Sequence, residues 1–169
     1  MDEEAQAALE RIAAERECMR ILHAYGRAID WQDRDGLGCL FWPDAMIDLG
    51  FFRGNGPEAT AFLLANAARS QRRFHATSNI VLRVDRATAM ADSCCITHAV
   101  GSEEGTPAWQ LFFGRYLDRL ERRGGEWRLA ERRFLLNGYH AGVLDEPSPL
   151  APVPRADALT PEHPLFRFR

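Results

Sequence analysis

The chain contains two side chains that could transfer a proton together, an aspartate at the end of a helical segment and a histidine at the start of a long β-segment. Asp30 ends the sequence Tyr25-Gly-Arg-Ala-Ile-Asp, and His75 opens the sequence His75-Ala-Thr-Ser-Asn. A carboxylate that orients and charge-balances an imidazole is the minimum equipment for moving a proton near neutral pH. We therefore expect a small acid–base enzyme if the fold brings both side chains into an apolar pocket.

Both residues also have plain structural interpretations. Asp30 lies four residues after Gly26 and eight after Leu22, which places it on the inward stripe of the predicted helix. It could equally be a helix-end carboxylate in solvent. His75 shares one face of its strand with three residues, Thr77, Asn79 and Val81. This polar face suits a pocket wall or a surface exposed to water.

Four further side chains are candidates for binding a substrate: Tyr25, Asn79, His98 and Arg133. Tyr25 could donate a hydrogen bond from its phenol, although an ideal helix places it about 140° around from Asp30. His98 could be a second acid–base group near the end of its strand. Arg133 alternates with Trp127, Leu129 and Glu131 and could bind an anionic group. The alternatives are a core tyrosine, a structural histidine and a surface ion pair between Glu131 and an arginine.

The composition excludes several classes of function. The 169 residues suffice for one domain, and a net charge of -3 gives no basic patch for nucleic acid. All 21 basic residues are arginine, which excludes Schiff-base catalysis by lysine. The four cysteines form no Cys-x-x-Cys pair, which favours a reducing cytoplasm. An acidic N-terminus predicts no signal peptide, and no apolar run approaches the roughly 20 residues that span a membrane.

Motifs for other chemistries are missing from the sequence. It has no Gly-x-Gly-x-x-Gly, no Walker loop and no nucleophile elbow, and its five histidines lack metal-ligand spacing. We predict neither a metal nor a cofactor. Proton transfer, elimination, isomerisation and aldol-type closure are the reactions that remain.

The pattern of the chain predicts helices first and an antiparallel meander after them. Apolar spacing, turn residues and glycines predict helices over 4–30, 35–40 and 57–68, a strand over 45–49, a hairpin or loop over 50–56, and strands over 75–84, 87–100, 108–122 and 126–137. We expect an α+β domain over residues 1–145, in which a curved sheet wraps the helices as a cone-shaped barrel with a pocket inside. Residues 146–169 form a proline-rich tail that could cover the pocket or a neighbouring subunit.

This order of elements and four sequence segments resemble the nuclear transport factor 2-like superfamily, in its SnoaL-like branch. The segments are Ile21–Leu37 with Leu40–Ala45, Gly56–Phe62, Arg73–Asn79, and Gly114–Asp118 with Gly125–Leu129. Within that superfamily the chain is similar to scytalone dehydratase, hexachlorocyclohexane dehydrochlorinase and bile acid dehydratase. The resemblance implies an Asp30–His75 catalytic dyad, with Tyr25 and, by a less certain alignment, His98 as its helpers.

The sequence also departs from scytalone dehydratase. The serine and asparagine that hold the substrate there fall near Gln110 and Phe112 here, and its two tyrosines fall at Ile29 and near Leu49. The resemblance therefore implies a dehydratase, lyase, isomerase or polyketide-cyclase type of reaction on a small apolar cyclic substrate, without naming that substrate. It also implies a homodimer or homotrimer. The alternative function is a non-catalytic binding or assembly subunit, because such subunits share this fold.

Overall fold

The computed structural model describes residues 2–103 and 106–143, and these form three helices and six strands. The helices are α1 (Glu3–Asp30), α2 (Arg34–Gly38) and α3 (Gly56–Arg69). The strands are β1 (Phe41–Asp48), β2 (Arg53–Gly54), β3 (Arg72–Asp85), β4 (Thr88–Glu103), β5 (Thr106–Arg123) and β6 (Glu126–Val143). The predicted α+β class is confirmed. The predicted tail, 146–169, lies outside the described residues.

The six strands form one mixed sheet in the order β2-β1-β6-β5-β4-β3. Neighbouring strands are antiparallel except β1 and β6, which run parallel. The predicted sheet is confirmed, and its strands β3 to β6 form the predicted antiparallel meander. Across the described residues it remains open, with β2 and β3 at its edges, so the cone is not a closed barrel.

Helix α1 packs against the sheet through its second half. Its N-cap Asp2 accepts a hydrogen bond from the backbone N–H of Ala5, and its buried face runs from Cys18 to Ile29. The predicted apolar stripe is wrong at the beginning of the helix, where Leu9 and Ile12 are 51% and 55% exposed. Spacing alone marks an apolar stripe, but the sheet covers only its C-terminal part.

Local turn chemistry shifts the predicted ends of several elements. Helix α2 begins at Arg34, one residue before the predicted start, and Asp33 caps it by accepting a hydrogen bond from the Gly36 N–H. Strand β1 begins at Phe41, before the predicted start at 45, and runs through Pro43, where its register with β6 is irregular between Phe41 and Met46. A proline costs little where no ladder hydrogen bond is required of it. No described helix is long and apolar enough to cross a membrane.

A bulge in β3 changes which of its side chains face the core. The register with β4 shifts between Ser78 and Val81, and Asn79 adopts a positive φ of 48° inside the bulge. The predicted alternation therefore holds at the start of the strand and is wrong after it. Val81 is 57% exposed, whereas Ile80, Leu82 and Val84 pack against the core. One extra residue in a strand reverses the faces that follow it.

A second bulge has the same effect in β6. Arg119 pairs with Glu131 and Leu120 with Leu129, so Ala130 is the extra residue. Trp127 and Leu129 face the core, but after the bulge Arg132 faces the core in place of the predicted Arg133, which is exposed. The alternative for Glu131 is confirmed, because Arg119 Nε lies 3.5 Å from its carboxylate.

A candidate active site between the first helix and the sheet

Asp30 and His75 meet where the end of α1 crosses the start of β3. The Oδ1 atom of Asp30 lies 2.5 Å from His75 Nδ1, and its Oδ2 accepts a 2.9 Å hydrogen bond from the His75 backbone N–H. Both carboxylate oxygens of Asp30 therefore contact His75, one at its ring and one at its backbone. With the ring proton on Nδ1, where this carboxylate can accept it, the lone pair at Nε2 is free to act as a base.

A glycine allows the helix and the strand to approach this closely. A Cβ atom on Gly26 would lie 2.7 Å from His75 Cβ, far inside van der Waals contact. A glycine within a helix costs about 0.5–1 kcal/mol relative to alanine, so its presence one turn before Asp30 indicates a packing requirement. Residue spacing alone gives no sign of this role of Gly26.

Arg73, two residues before His75, connects the ends of helices α1 and α3. Its Nη1 donates to the backbone carbonyls of Ala67 and Ser70 at 2.7 and 2.5 Å, and its Nη2 donates to the Asp30 carbonyl at 3.3 Å. The C-terminal ends of α3 and α1 are thereby joined through one guanidinium. Cations are favoured at helix C-termini, where carbonyl groups lack helical partners.

His75 lines a cavity of about 790 Å³ between the sheet and the helices. This volume lies in the ordinary range for a small-molecule site, about 300–1,000 Å³. Most of its wall is apolar or aromatic and includes Ile29, Leu49, Phe51, Phe62, Leu63, Phe112 and Phe134. Ile29, Leu49, Gln110 and Phe112, the residues at or near which the resemblance to scytalone dehydratase predicts a different pocket, all line the cavity.

Tyr25 and Tyr116 form one side of the cavity above a buried arginine. The guanidinium carbon of Arg132 lies 4.0 Å from the Tyr25 ring centroid and 4.2 Å from that of Tyr116. Arg132 is fully buried, and Asp118 accepts two 2.7 Å hydrogen bonds from it. The cation–π contacts and the bidentate ion pair fix both rings in place.

Burial keeps both phenols protonated. It raises the pKa of Tyr25, and the positive charge of Arg132 opposes only part of that rise. Burial also raises the pKa of Tyr116 well above its usual range. Desolvation acts to lower the pKa of Arg132, but the Asp118 carboxylate outweighs it and the pKa ends above its ordinary value. Both phenols are therefore neutral hydroxyl groups beside a permanent cation.

Three of the predicted substrate contacts lie outside this cavity. Asn79 is exposed in the β3 bulge. His98 lies between the cavity-lining residues Thr97 and Ala99 and therefore points to the opposite face of the sheet. Arg133 lines a separate surface cleft of about 450 Å³ beside β1 and β2. Of the predicted residues, the structure brings together Asp30, His75 and Tyr25.

Sequence reasoning missed Arg132, Asp118 and Tyr116. Alternation of faces every second residue from Trp127 predicts that Arg133, and not Arg132, faces the core. The prediction fails because nothing in the sequence marks Ala130 as a bulge. Among the described residues, no group of three or more His, Cys, Asp or Glu side chains is arranged to hold a metal ion. The arrangement that is present can take a proton from a ligand at Nε2 of His75 and donate a hydrogen bond to it from a phenol.

The sequence profile that matches this chain is that of the SnoaL-like domain, over residues 10–133. Hexachlorocyclohexane dehydrochlorinase LinA-type3 from Novosphingobium barchaimii has a similar structure, with a TM-score of 0.71 and 20% identity over 82% of this chain and 95% of that one. A putative scytalone dehydratase from Novosphingobium aromaticivorans gives 0.67 and 19%, over 77% and 88%. Rv3472 from Mycobacterium tuberculosis, of unknown function, gives 0.61 and 24%, over 81% and 77%. These likenesses establish the fold. No curated protein matches the chain.

Proposed function

Because the chain belongs to the SnoaL-like domain family, whose fold encloses a cavity for small molecules, we propose that it is a cofactor-independent acid–base enzyme acting through Asp30 and His75. The observation that carries this proposal is the 2.5 Å contact between Asp30 Oδ1 and Nδ1 of a histidine that also lines the cavity. An aspartate held in this way fixes the tautomer of the imidazole and stabilises the imidazolium that forms when the ring accepts a proton.

The proposed reaction is elimination from a carbonyl-activated alcohol or halide. His75 Nε2 removes the proton beside the carbonyl, the electrons of the C–H bond form the new double bond, and the carbon–oxygen or carbon–halogen bond breaks. A departing hydroxide takes the proton back from the imidazolium and leaves as water. Tyr25, which stays protonated, donates to the carbonyl oxygen as negative charge develops there. General acid–base assistance of this kind contributes about 10²–10⁴ in rate.

The same dyad could serve isomerisation or ring closure, since both begin with removal of a proton beside a carbonyl. The wall of the cavity favours a small cyclic apolar substrate, because aromatic side chains such as Phe62, Phe112 and Phe134 surround it. Relatives in structure include a dehydrochlorinase and a putative dehydratase, whose names support elimination as the first chemistry to test.

The test is turnover of cyclic β-hydroxyketones and their β-chloro analogues by the full chain, followed as formation of the conjugated enone. We expect His75→Ala and Asp30→Asn each to reduce the rate at least 100-fold without unfolding the protein. His23→Ala and Asp35→Asn are matched controls, because both residues are exposed and lie outside the cavity. Full activity in either dyad variant would refute the assignment.

We further propose that the protein forms a homodimer or homotrimer through the outer face of its sheet. Several large apolar side chains are exposed on the strands there, namely Phe74, Ile96, Leu117 and Leu135. Exposed apolar patches of this kind mark sites of association. Light scattering tests the assembly, and a monomer at micromolar concentration would contradict it.

A reducing compartment such as the cytoplasm suits the four free cysteines.

The competing function is a non-catalytic binding or assembly subunit of the same fold. The exposed apolar strands favour it, since they could pack against a partner as well as against a second copy. The two functions give different results in one experiment. A binding subunit would hold apolar ligands in its cavity with equal affinity in the wild type and in His75→Ala, and it would turn over none of them.

A further inference from the structure

The cavity wall carries positive charge that its own residues do not neutralise. Arg69 and Arg73 both line it, whereas the described lining residues include no aspartate or glutamate. The carboxylate of Asp30 belongs to the dyad, and both of its oxygens already accept hydrogen bonds from His75. A cleft lined by one sign of charge attracts a ligand of the opposite sign.

Arg73 holds its charge in a fixed position. Its guanidinium donates to the backbone carbonyls of Ala67, Ser70 and Asp30, which carry only partial negative charge. Its Nε is buried and makes no hydrogen bond among the described residues. The guanidinium is therefore rigid, and no carboxylate cancels its charge through these contacts.

Arg69 differs from Arg73 in being exposed. It is the last residue of α3, and within the described part of the chain it takes part in no ion pair. Two polar residues at the C-terminal end of α3, Asn66 and Ser70, line the same cavity. The Ala67 carbonyl, which a cation near the helix end could bind, already accepts from Arg73.

We propose that Arg69, supported by the fixed charge of Arg73, is an anion-binding subsite at the opening of the cavity. The substrate is then an apolar ring that bears a carboxylate or a comparable anionic group. Its anion lies at Arg69, and, in the part that rests on the proposed function, its reacting carbon lies at His75. A planar guanidinium suits a carboxylate because it can donate two parallel hydrogen bonds.

Calorimetric titration of the full chain with 2-naphthoate and with 2-naphthamide tests the subsite, because the two probes share a ring system and differ in charge. We expect the wild type to bind the naphthoate about tenfold more tightly than the amide, with a preference that weakens as salt is added. Arg69→Gln should lose that tenfold for the naphthoate alone. Arg133→Gln, which removes an exposed arginine outside the cavity, should bind both probes as the wild type does.

Equal affinities for the two probes in the wild type would overturn the subsite, as would an Arg69→Gln variant that still prefers the anion, or a wild type that binds no naphthoate. The subsite and the dyad fail separately. If His75→Ala keeps full turnover while the preference for naphthoate depends on Arg69, the catalytic proposal fails and the subsite stands. If the preference is missing while His75→Ala abolishes turnover, the reverse holds.

Discussion

Replacing Gly26 with alanine should separate helix stability from the geometry of the dyad. The new Cβ would lie 2.7 Å from His75 Cβ, whereas carbon atoms in contact are about 3.5–4.0 Å apart, so α1 and β3 must separate by roughly 0.8 Å or more. Alanine gains about 0.5–1 kcal/mol over glycine within a helix, and overpacking costs about 1–3 kcal/mol. We expect a net loss of about 1–2 kcal/mol in the free energy of unfolding.

The loss of activity should exceed the loss of stability. A separation of roughly 0.8 Å would lengthen the 2.5 Å contact between Asp30 and His75 by about a third, and a misplacement of about 1 Å can cost 10² in rate. Urea unfolding and turnover are measured on Gly26→Ala and on Gly38→Ala, a control whose added Cβ meets no atom within 4 Å. A Gly26→Ala protein that is as stable as the control and fully active would refute the close-packing argument.

Two further predictions concern the buried cluster beside the cavity. Asp118→Asn leaves Arg132 charged and unpaired, so urea unfolding should show a loss of about 3–5 kcal/mol in the free energy of unfolding. The double variant Asp118→Leu with Arg132→Met should recover most of that loss. A loss below about 1 kcal/mol in the single variant would contradict a buried pair. Burial raises the pKa of Tyr25 and of Tyr116, which adds stability that is complete below a pH of about 10 and is lost as the pH rises through the folded-state values. Ultraviolet titration should therefore show these two phenols ionising only with unfolding, and phenolate signals from all three tyrosines in the folded protein would exclude this.

The fold could be read from the sequence because its signals are local. The capping box of α3, in which Asn55 and Glu58 exchange hydrogen bonds, lies beside the predicted start at Pro57. The Arg123-Gly-Gly hairpin likewise marks the turn between β5 and β6, where both glycines adopt positive φ. Residues such as these fix element boundaries within a few positions, and the order of elements then restricts the topology.

The site could be predicted only in part, because bulges are invisible to a period-two pattern. Asp30 is the last residue of α1, and His75 lies near the start of β3, before its bulge. The face predicted for His75 is therefore not shifted by the bulge. Arg133 and Asn79 lie beyond or within a bulge, so the predicted faces are shifted by one residue. The ion pair between Arg132 and Asp118 could not be predicted either. It joins two strands, and the pairing of β5 with β6 at these residues depends on the same bulge.

The central claim is that the Asp30 carboxylate places the ring proton of His75 on Nδ1 and leaves the lone pair at Nε2. Nitrogen-15 NMR of the imidazole, at a pH where the ring is neutral and with His75→Gln used to assign the signal, reports which nitrogen carries the proton. We expect a proton on Nδ1, shared with Asp30, and an unprotonated Nε2. A ring protonated at Nε2 would leave no base facing the cavity and would contradict the proposed mechanism.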